Sequence, residues 1–139
     1  MKTLQSLLLP LILLFAFPQL NAQTATGVQT PVKVSETTEV FYFHFSRRCA
    51  TCEAVEKVTE ETLKKNYPEQ LKNETLVFVS VNLDDEVNAT LAEQLKVTGQ
   101  TLLFVKGNNK KDLTNKAFMY ARENPDKLEA AIKETISSL

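Results

Sequence analysis

The chain has 139 residues, with 16 basic and 17 acidic side chains and a formal net charge of -1. That balance leaves no electrostatic footprint for nucleic acid or an acidic membrane surface. With 43% hydrophobic and 24% charged residues, the composition is that of one ordinary globular domain. Two cysteines and one histidine are too few for the four-ligand Cys/His zinc site of a monomeric zinc finger.

Residues 1–22 read as a secretory signal peptide. Lys2 precedes an apolar run over residues 7–17, and Leu20-Asn21-Ala22 offers a small residue for cleavage. The run is short for a membrane span, which takes about 20 residues, and Pro10 interrupts it. The chain is therefore expected to be exported, to the periplasm or another extracytoplasmic space of a bacterium. Its only membrane association would come through the signal peptide before cleavage. Residues 23–37 form a polar leader, with a short edge strand expected at Val32-Lys33-Val34. Residues 38–139 form the domain, and a monomer is expected.

Residues 39–45 (EVFYFHF) are nearly continuously apolar, as in a central strand buried on both faces. Residues 50–66 then carry Ala50, Ala54, Val55, Val58, Thr62 and Leu63 at helical spacing. Pro68 ends that helix, because the residue before proline avoids the helical region. Residues 75–83 (TLVFVSVNL) form a second strand. Asp84 or Asp85 is expected to cap a second helix running to about Leu95. Residues 101–106 (TLLFVK) form a third strand, and Gly107-Asn108-Asn109 a turn. Residues 112–119 return as a polar fourth strand. Asn124-Pro125 opens a last helix, with Leu128, Ala131, Ile132 and Ile136 inside. The order is β-α-β-α-β-β-α. It predicts an α/β domain with a mixed four-stranded sheet flanked by helices, its first three strands parallel and its last pair antiparallel.

Chemistry concentrates at Cys49-Ala50-Thr51-Cys52, after a buried strand and at the first turn of a helix. A spacing of three brings both sulfurs to one helix face, within bonding reach. Unpaired backbone N–H groups and the positive end of the helix dipole stabilise a thiolate there, and a thiolate is what attacks disulfides. The helix terminus contributes about 0.3–1 kcal/mol, less than one pKa unit. Arg47 and Arg48 are expected to lower the first thiol further, towards neutrality. Cys49 is then the nucleophile and Cys52 the resolving thiol. Arg47 and Arg48 tune the thiolate or contact a partner.

Two other uses of the pair stand beside this one. A structural disulfide is disfavoured, because so short a loop constrains the unfolded chain little. A dithiol capture site for arsenite or another soft ion suits the ligand type, but offers only two ligands. His44, in the first strand, is a candidate proton relay or third soft-metal ligand. Strand alternation sets it opposite Phe43 and Phe45, which weakens any contact with the thiols. No metal ligand set is assigned. No GxGxxG or other cofactor fingerprint is present, so no cofactor is expected.

These residues resemble the thioredoxin family over about residues 38–137. The likeness rests on the CxxC at a strand-to-helix junction, the element order, Val81-Asn82-Leu83-Asp84, and the segment Val97-Thr98-Gly99-Gln100-Thr101-Leu102-Leu103-Phe104. It implies a thioredoxin-like fold and thiol–disulfide exchange with a protein thiol or disulfide partner. The chain departs from the family at three positions. Gln100 stands where the family has a cis-proline beside the disulfide, or that proline is deleted; the resemblance then implies a trans bond and an altered groove. Arg48 replaces the tryptophan before the first cysteine. Phe43 falls where the family has a buried acid, so another group must manage the Cys52 proton. Residues 41–56 (FYFHFSRRCATCEAVE) also resemble a smaller group of exported thioredoxin-like proteins of gut Bacteroidetes. That group is described as a nitrophenyl compound nitroreductase subunit and is associated with arsenic-resistance gene clusters. The likeness implies a redox-partner role, or a non-catalytic subunit.

Overall fold

The computed structural model describes residues 36–139. The expected signal peptide and the edge strand at Val32-Lys33-Val34 lie outside the described residues. Strand β1 spans Thr38–His44, and helix α1 spans Ala50–Asn66, with the bounds its periodicity predicts. Pro68 ends α1 and also opens a short helix α2, Pro68–Lys72, which the sequence pattern does not predict. Proline is well placed there, because its missing N–H is unpaired anyway in a first helical turn. Strand β2 is Leu76–Asn82.

The second expected helix is shorter and begins differently. A 3-10 turn at Glu86–Asn88 leads into helix α3, Ala89–Leu95, and Lys96 ends it in the left-handed region (φ 60°). Neither end-capping aspartate works as expected. Asp85 makes no side-chain cap bond, and the Asp84 carboxylate instead accepts the Ser46 backbone N–H at 2.7 Å.

Strands β3 (Thr101–Lys106) and β4 (Asn109–Asp112) form a hairpin, turned at Gly107 with φ 57°. The strand expected over residues 112–119 is a helix, α4, Thr114–Tyr120. Leu113, Ala117 and Ala121 recur every four residues and are all buried, which a helix achieves and a strand does not. The last helix, α5, is Pro125–Ser137, with Pro125 in its first turn as expected.

The sheet order is β2-β1-β3-β4. β1 and β2 are parallel, whereas β3 is antiparallel to β1 and β4 to β3. The expectation that the first three strands are all parallel is thus corrected. A parallel return to β3 needs a connection that travels back along the sheet. α3 has seven residues and covers only about 10 Å, against about 20 Å for a strand of this length. The chain therefore re-enters the sheet at the end where β2 left it. Thr101, the first residue of β3, pairs with Phe43 near the end of β1.

Alternation along the strands divides the core into two layers. Val40, Tyr42, Leu102 and Phe104 face α1, α4 and α5, and meet Val55, Leu63, Ala117, Leu128 and Ile132. Phe41, Phe43, Leu103 and Val105 face α3 and meet Ala92. The mixed four-stranded sheet with helices on both sides is the thioredoxin-like α/β arrangement expected from the sequence. It sets the ends of β1 and β2 and the start of β3 along one edge.

Candidate active site

Cys49 and Cys52 are joined by a disulfide, with their Cα atoms 5.1 Å apart. Cys49 is the N-cap of α1, in extended geometry (φ -100°, ψ 160°), and its sulfur accepts the Cys52 backbone N–H at 3.2 Å. The cap position normally taken by a serine or aspartate oxygen is thus filled by the sulfur itself. Once the disulfide is reduced, a hydrogen bond of this kind favours the charged form of its acceptor, the Cys49 thiolate. Burial separates the two cysteines: Cys49 is exposed, whereas Cys52 is only 2% exposed. Solvent therefore reaches Cys49 and scarcely reaches Cys52.

Three elements hold Cys52. The Tyr42 hydroxyl, from β1, donates to its carbonyl at 2.9 Å. Its own helix supplies the backbone. From the turn before β3, the Gln100 side-chain oxygen stands 3.2 Å from the Cys52 sulfur. Every peptide bond among the described residues is trans, as expected at Gln100. The position at which the thioredoxin resemblance implies a proline thus carries a polar carboxamide in contact with the buried sulfur.

The two arginines diverge. Arg47 is exposed. Arg48 turns inward, its guanidinium 5.6 Å from the centre of the Tyr42 ring and paired with Glu56, with both side chains about three-quarters buried or more. Burial works against ionising Glu56. Hydrogen bonds from Ser80 and Arg48, with the charges of Arg48 and His44, outweigh it and hold the carboxyl below its ordinary value. Burial pushes the Tyr42 phenol up, against the opposing charge and hydrogen bond of Arg48. Arg48 is therefore a neutralised, packed cation, whereas Arg47 is exposed and has no charged partner among the described residues. Sequence reading missed Glu56. Its signal was a carboxylate four residues after Cys52 on one helix face, next to an arginine with no other assigned partner.

His44 lies on the same sheet face as Tyr42, its ring centre 5.9 Å away. That is the face bearing α1, so alternation brings His44 towards the helix that carries the cysteines. Its Nδ1 nevertheless pairs with the Phe45 carbonyl at 3.0 Å, and it makes no hydrogen bond to either sulfur. A second cluster fixes the turn before Cys49. Asn82 donates to the Ser46 hydroxyl at 2.9 Å, and Asp84 accepts from the Ser46 N–H. Hydrogen bonds from the Ser46 backbone and side chain, with the His44 charge, hold the Asp84 carboxyl below its ordinary value against a smaller desolvation cost. Among the described residues no three His, Cys, Asp or Glu side chains converge on a metal position, and no helix is long and apolar enough to cross a membrane.

No protein-family model matches the chain, and no curated protein matches it. Solved structures do. Thioredoxin O2 of Arabidopsis thaliana in its oxidised state is 23% identical, over 71% of this chain and 75% of that one, with a TM-score of 0.49. The germline-specific thioredoxin Deadhead of Drosophila melanogaster is 17% identical, over 73% and 83%, with a TM-score of 0.46. A malarial protein is 22% identical, over 70% and 96%, with a TM-score of 0.45.

Proposed function

We propose that this protein is an exported thiol–disulfide oxidoreductase that exchanges electrons with a protein partner through Cys49 and Cys52. One observation carries the reading: an exposed cysteine caps a helix through its sulfur and is bonded to a buried cysteine one turn on. That asymmetry supports Cys49 as nucleophile and Cys52 as resolving thiol. In the reduced protein the Cys49 thiolate attacks a partner disulfide, forms a mixed disulfide and expels one partner thiolate. Cys52, once deprotonated, attacks the Cys49 sulfur, closes the internal disulfide and releases the second partner thiolate. The dithiol loses two electrons and the partner gains them. Run backwards, the same steps oxidise a partner dithiol.

Arg47 is left free to meet an anionic partner or to favour the thiolate, while Arg48 is committed to Glu56 and Tyr42. The redox-partner role implied by the likeness to a nitroreductase subunit stays within this reading, with electrons passing through the dithiol to another protein. Soft-ion capture has less support, because the third group at Cys52 is a carboxamide oxygen and soft ions prefer sulfur or imidazole.

The test is a redox titration of the purified protein against glutathione, with thiols trapped and counted. A potential within the range of exchange catalysts, roughly -120 to -270 mV, is expected. One below about -300 mV would mark an inert structural disulfide and overturn the proposal. Cys49→Ser abolishes exchange, and Cys52→Ala accumulates a mixed disulfide that identifies the partner.

A further inference from the structure

Cys52 presents a chemical problem once the disulfide opens. Its sulfur is buried, and reduction gives it a proton that must have somewhere to point. The family's buried acid is absent, since Phe43 occupies that position and packs in the apolar layer facing α3. The titratable and charged groups on the surrounding elements are otherwise occupied. On β1, Tyr42 donates to the Cys52 carbonyl, and His44 is bonded to Phe45 O. On α1 and the turn before it, Glu56 is paired with Arg48, and Glu53 and Arg47 are exposed. From the β3 side there is no titratable group in contact, only Gln100. Among the described residues, Gln100 is the one side chain with a polar atom within hydrogen-bonding distance of the Cys52 sulfur, which carries no proton while the disulfide is closed.

We propose that the Gln100 side-chain oxygen accepts the Cys52 S–H in the reduced protein, and so sets how long a partner stays bound to Cys49. This rests on the exchange reading above and adds a positioning residue to it. The atom facing the sulfur is the oxygen, at 3.2 Å, and an oxygen stabilises the neutral thiol over the thiolate. The turn that carries it is fixed: Thr101 donates its hydroxyl to the Gly99 carbonyl at 2.9 Å, and Thr101 is already in the sheet. A carboxamide holds a proton but cannot take it away. When a partner is held on Cys49 as a mixed disulfide, the Cys52 proton must leave to a solvent base before Cys52 attacks. Release then rises with pH, and the mixed disulfide is long-lived near neutrality.

Two measurements test this. The first is the infrared S–H stretching band of the reduced Cys49→Ala protein, in which Cys52 is the sole thiol. The band is expected at the lower frequency of a hydrogen-bonded thiol, and Gln100→Met, close in volume and without an oxygen, moves it up. An unmoved band overturns the proposal. The second uses the wild-type dithiol with 5,5'-dithiobis(2-nitrobenzoate), an aromatic disulfide that releases one coloured thiolate at each step. The first release reports attack by Cys49, and the second reports attack by Cys52 on the mixed disulfide. Loss of one hydrogen bond to the thiol changes the thiolate fraction by about two- to tenfold, and the lower nucleophilicity of the freer thiolate returns part of that. Gln100→Met should accelerate the second release about two- to fourfold and move its pH profile to lower pH, with the first release unchanged. A slower second release would mean that the carboxamide nitrogen faces the sulfur and favours the thiolate, which also overturns the proposal. If the wild-type dithiol does not exchange with glutathione, the exchange reading falls, while the infrared shift still decides the Gln100–Cys52 bond.

Discussion

Replacing Glu56 with glutamine isolates the charge beneath the disulfide. The carboxylate is paired with Arg48, and the two side chains are 24% and 21% exposed. Hydrogen bonds to charged groups contribute about 1.5–3 kcal/mol, whereas exposed ion pairs contribute about 0–1 kcal/mol. The geometry belongs nearer the first range, and glutamine keeps part of the hydrogen bonding, so about 1.5–2 kcal/mol should be lost. For a domain of this size each kcal/mol moves Tm by about 4–8 °C, so Tm should fall about 6–16 °C. The control is Glu60→Gln, which breaks the Lys64–Glu60 pair at 2.8 Å, with side chains 65% and 46% exposed. That change should cost less than about 0.5 kcal/mol. The pH dependence follows from the depressed Glu56 carboxyl. Its folded value lies below its unfolded one, so its contribution is complete above the ordinary carboxylate value and is lost as pH falls through the folded value. Differential scanning calorimetry should show a constant gap between wild type and Glu56→Gln from neutrality to about pH 5, closing at lower pH. Equal melting of the two variants, or a gap that persists unchanged in acid, would refute the account of Arg48 as a neutralised cation.

Further changes probe other parts of the frame. Tyr42→Phe removes the donor to the buried Cys52 carbonyl and should cost about 1–3 kcal/mol in urea unfolding, with no change in the helix content of the folded protein. Leu128→Ala, at a fully buried site of the layer facing α1, should cost about 2–5 kcal/mol by the same measurement. Asp84→Ala removes the acceptor of the Ser46 N–H and should speed hydrogen exchange at Ser46 while leaving the amides of α1 beyond its first turn protected.

Strand β1 and helix α1 were legible because long apolar patterns fix both element type and face. Thr38–His44 and Ala50–Asn66 differ from their expected bounds by at most one residue. α4 was missed because its buried positions are mostly alanines, Ala117 and Ala121, among polar neighbours, so the four-residue spacing carries little hydrophobic weight. The direction of β3 was misread because the connection was judged by having a helix, and the decisive quantity was that helix's length. At the site, the cysteines are legible from their spacing after a buried strand, and Gln100 only through the thioredoxin resemblance. What Gln100 does was not legible, because the contact joins positions 48 residues apart and depends on β3 entering the sheet at the edge where the cysteines sit. Arg48 was read as a free charge because its partner, Glu56, is revealed only when the turn folds back over Tyr42.

The separation in sequence also orders the events of folding. Closing the Cys49–Cys52 bond spans a sequence separation of only 3, so an unfolded chain can form it before any sheet is paired, given an oxidant. The groups that make its two sulfurs unequal arrive from residues 10 and 48 positions away, and only when β1 and β3 are paired. Non-local pairing of that kind is slow to form. A newly emerged chain therefore carries an ordinary, symmetric dithiol that any oxidant can close and any reductant can reopen. Selective chemistry appears with the finished sheet, so reactivity at these two sulfurs serves as a clock for the last stage of folding.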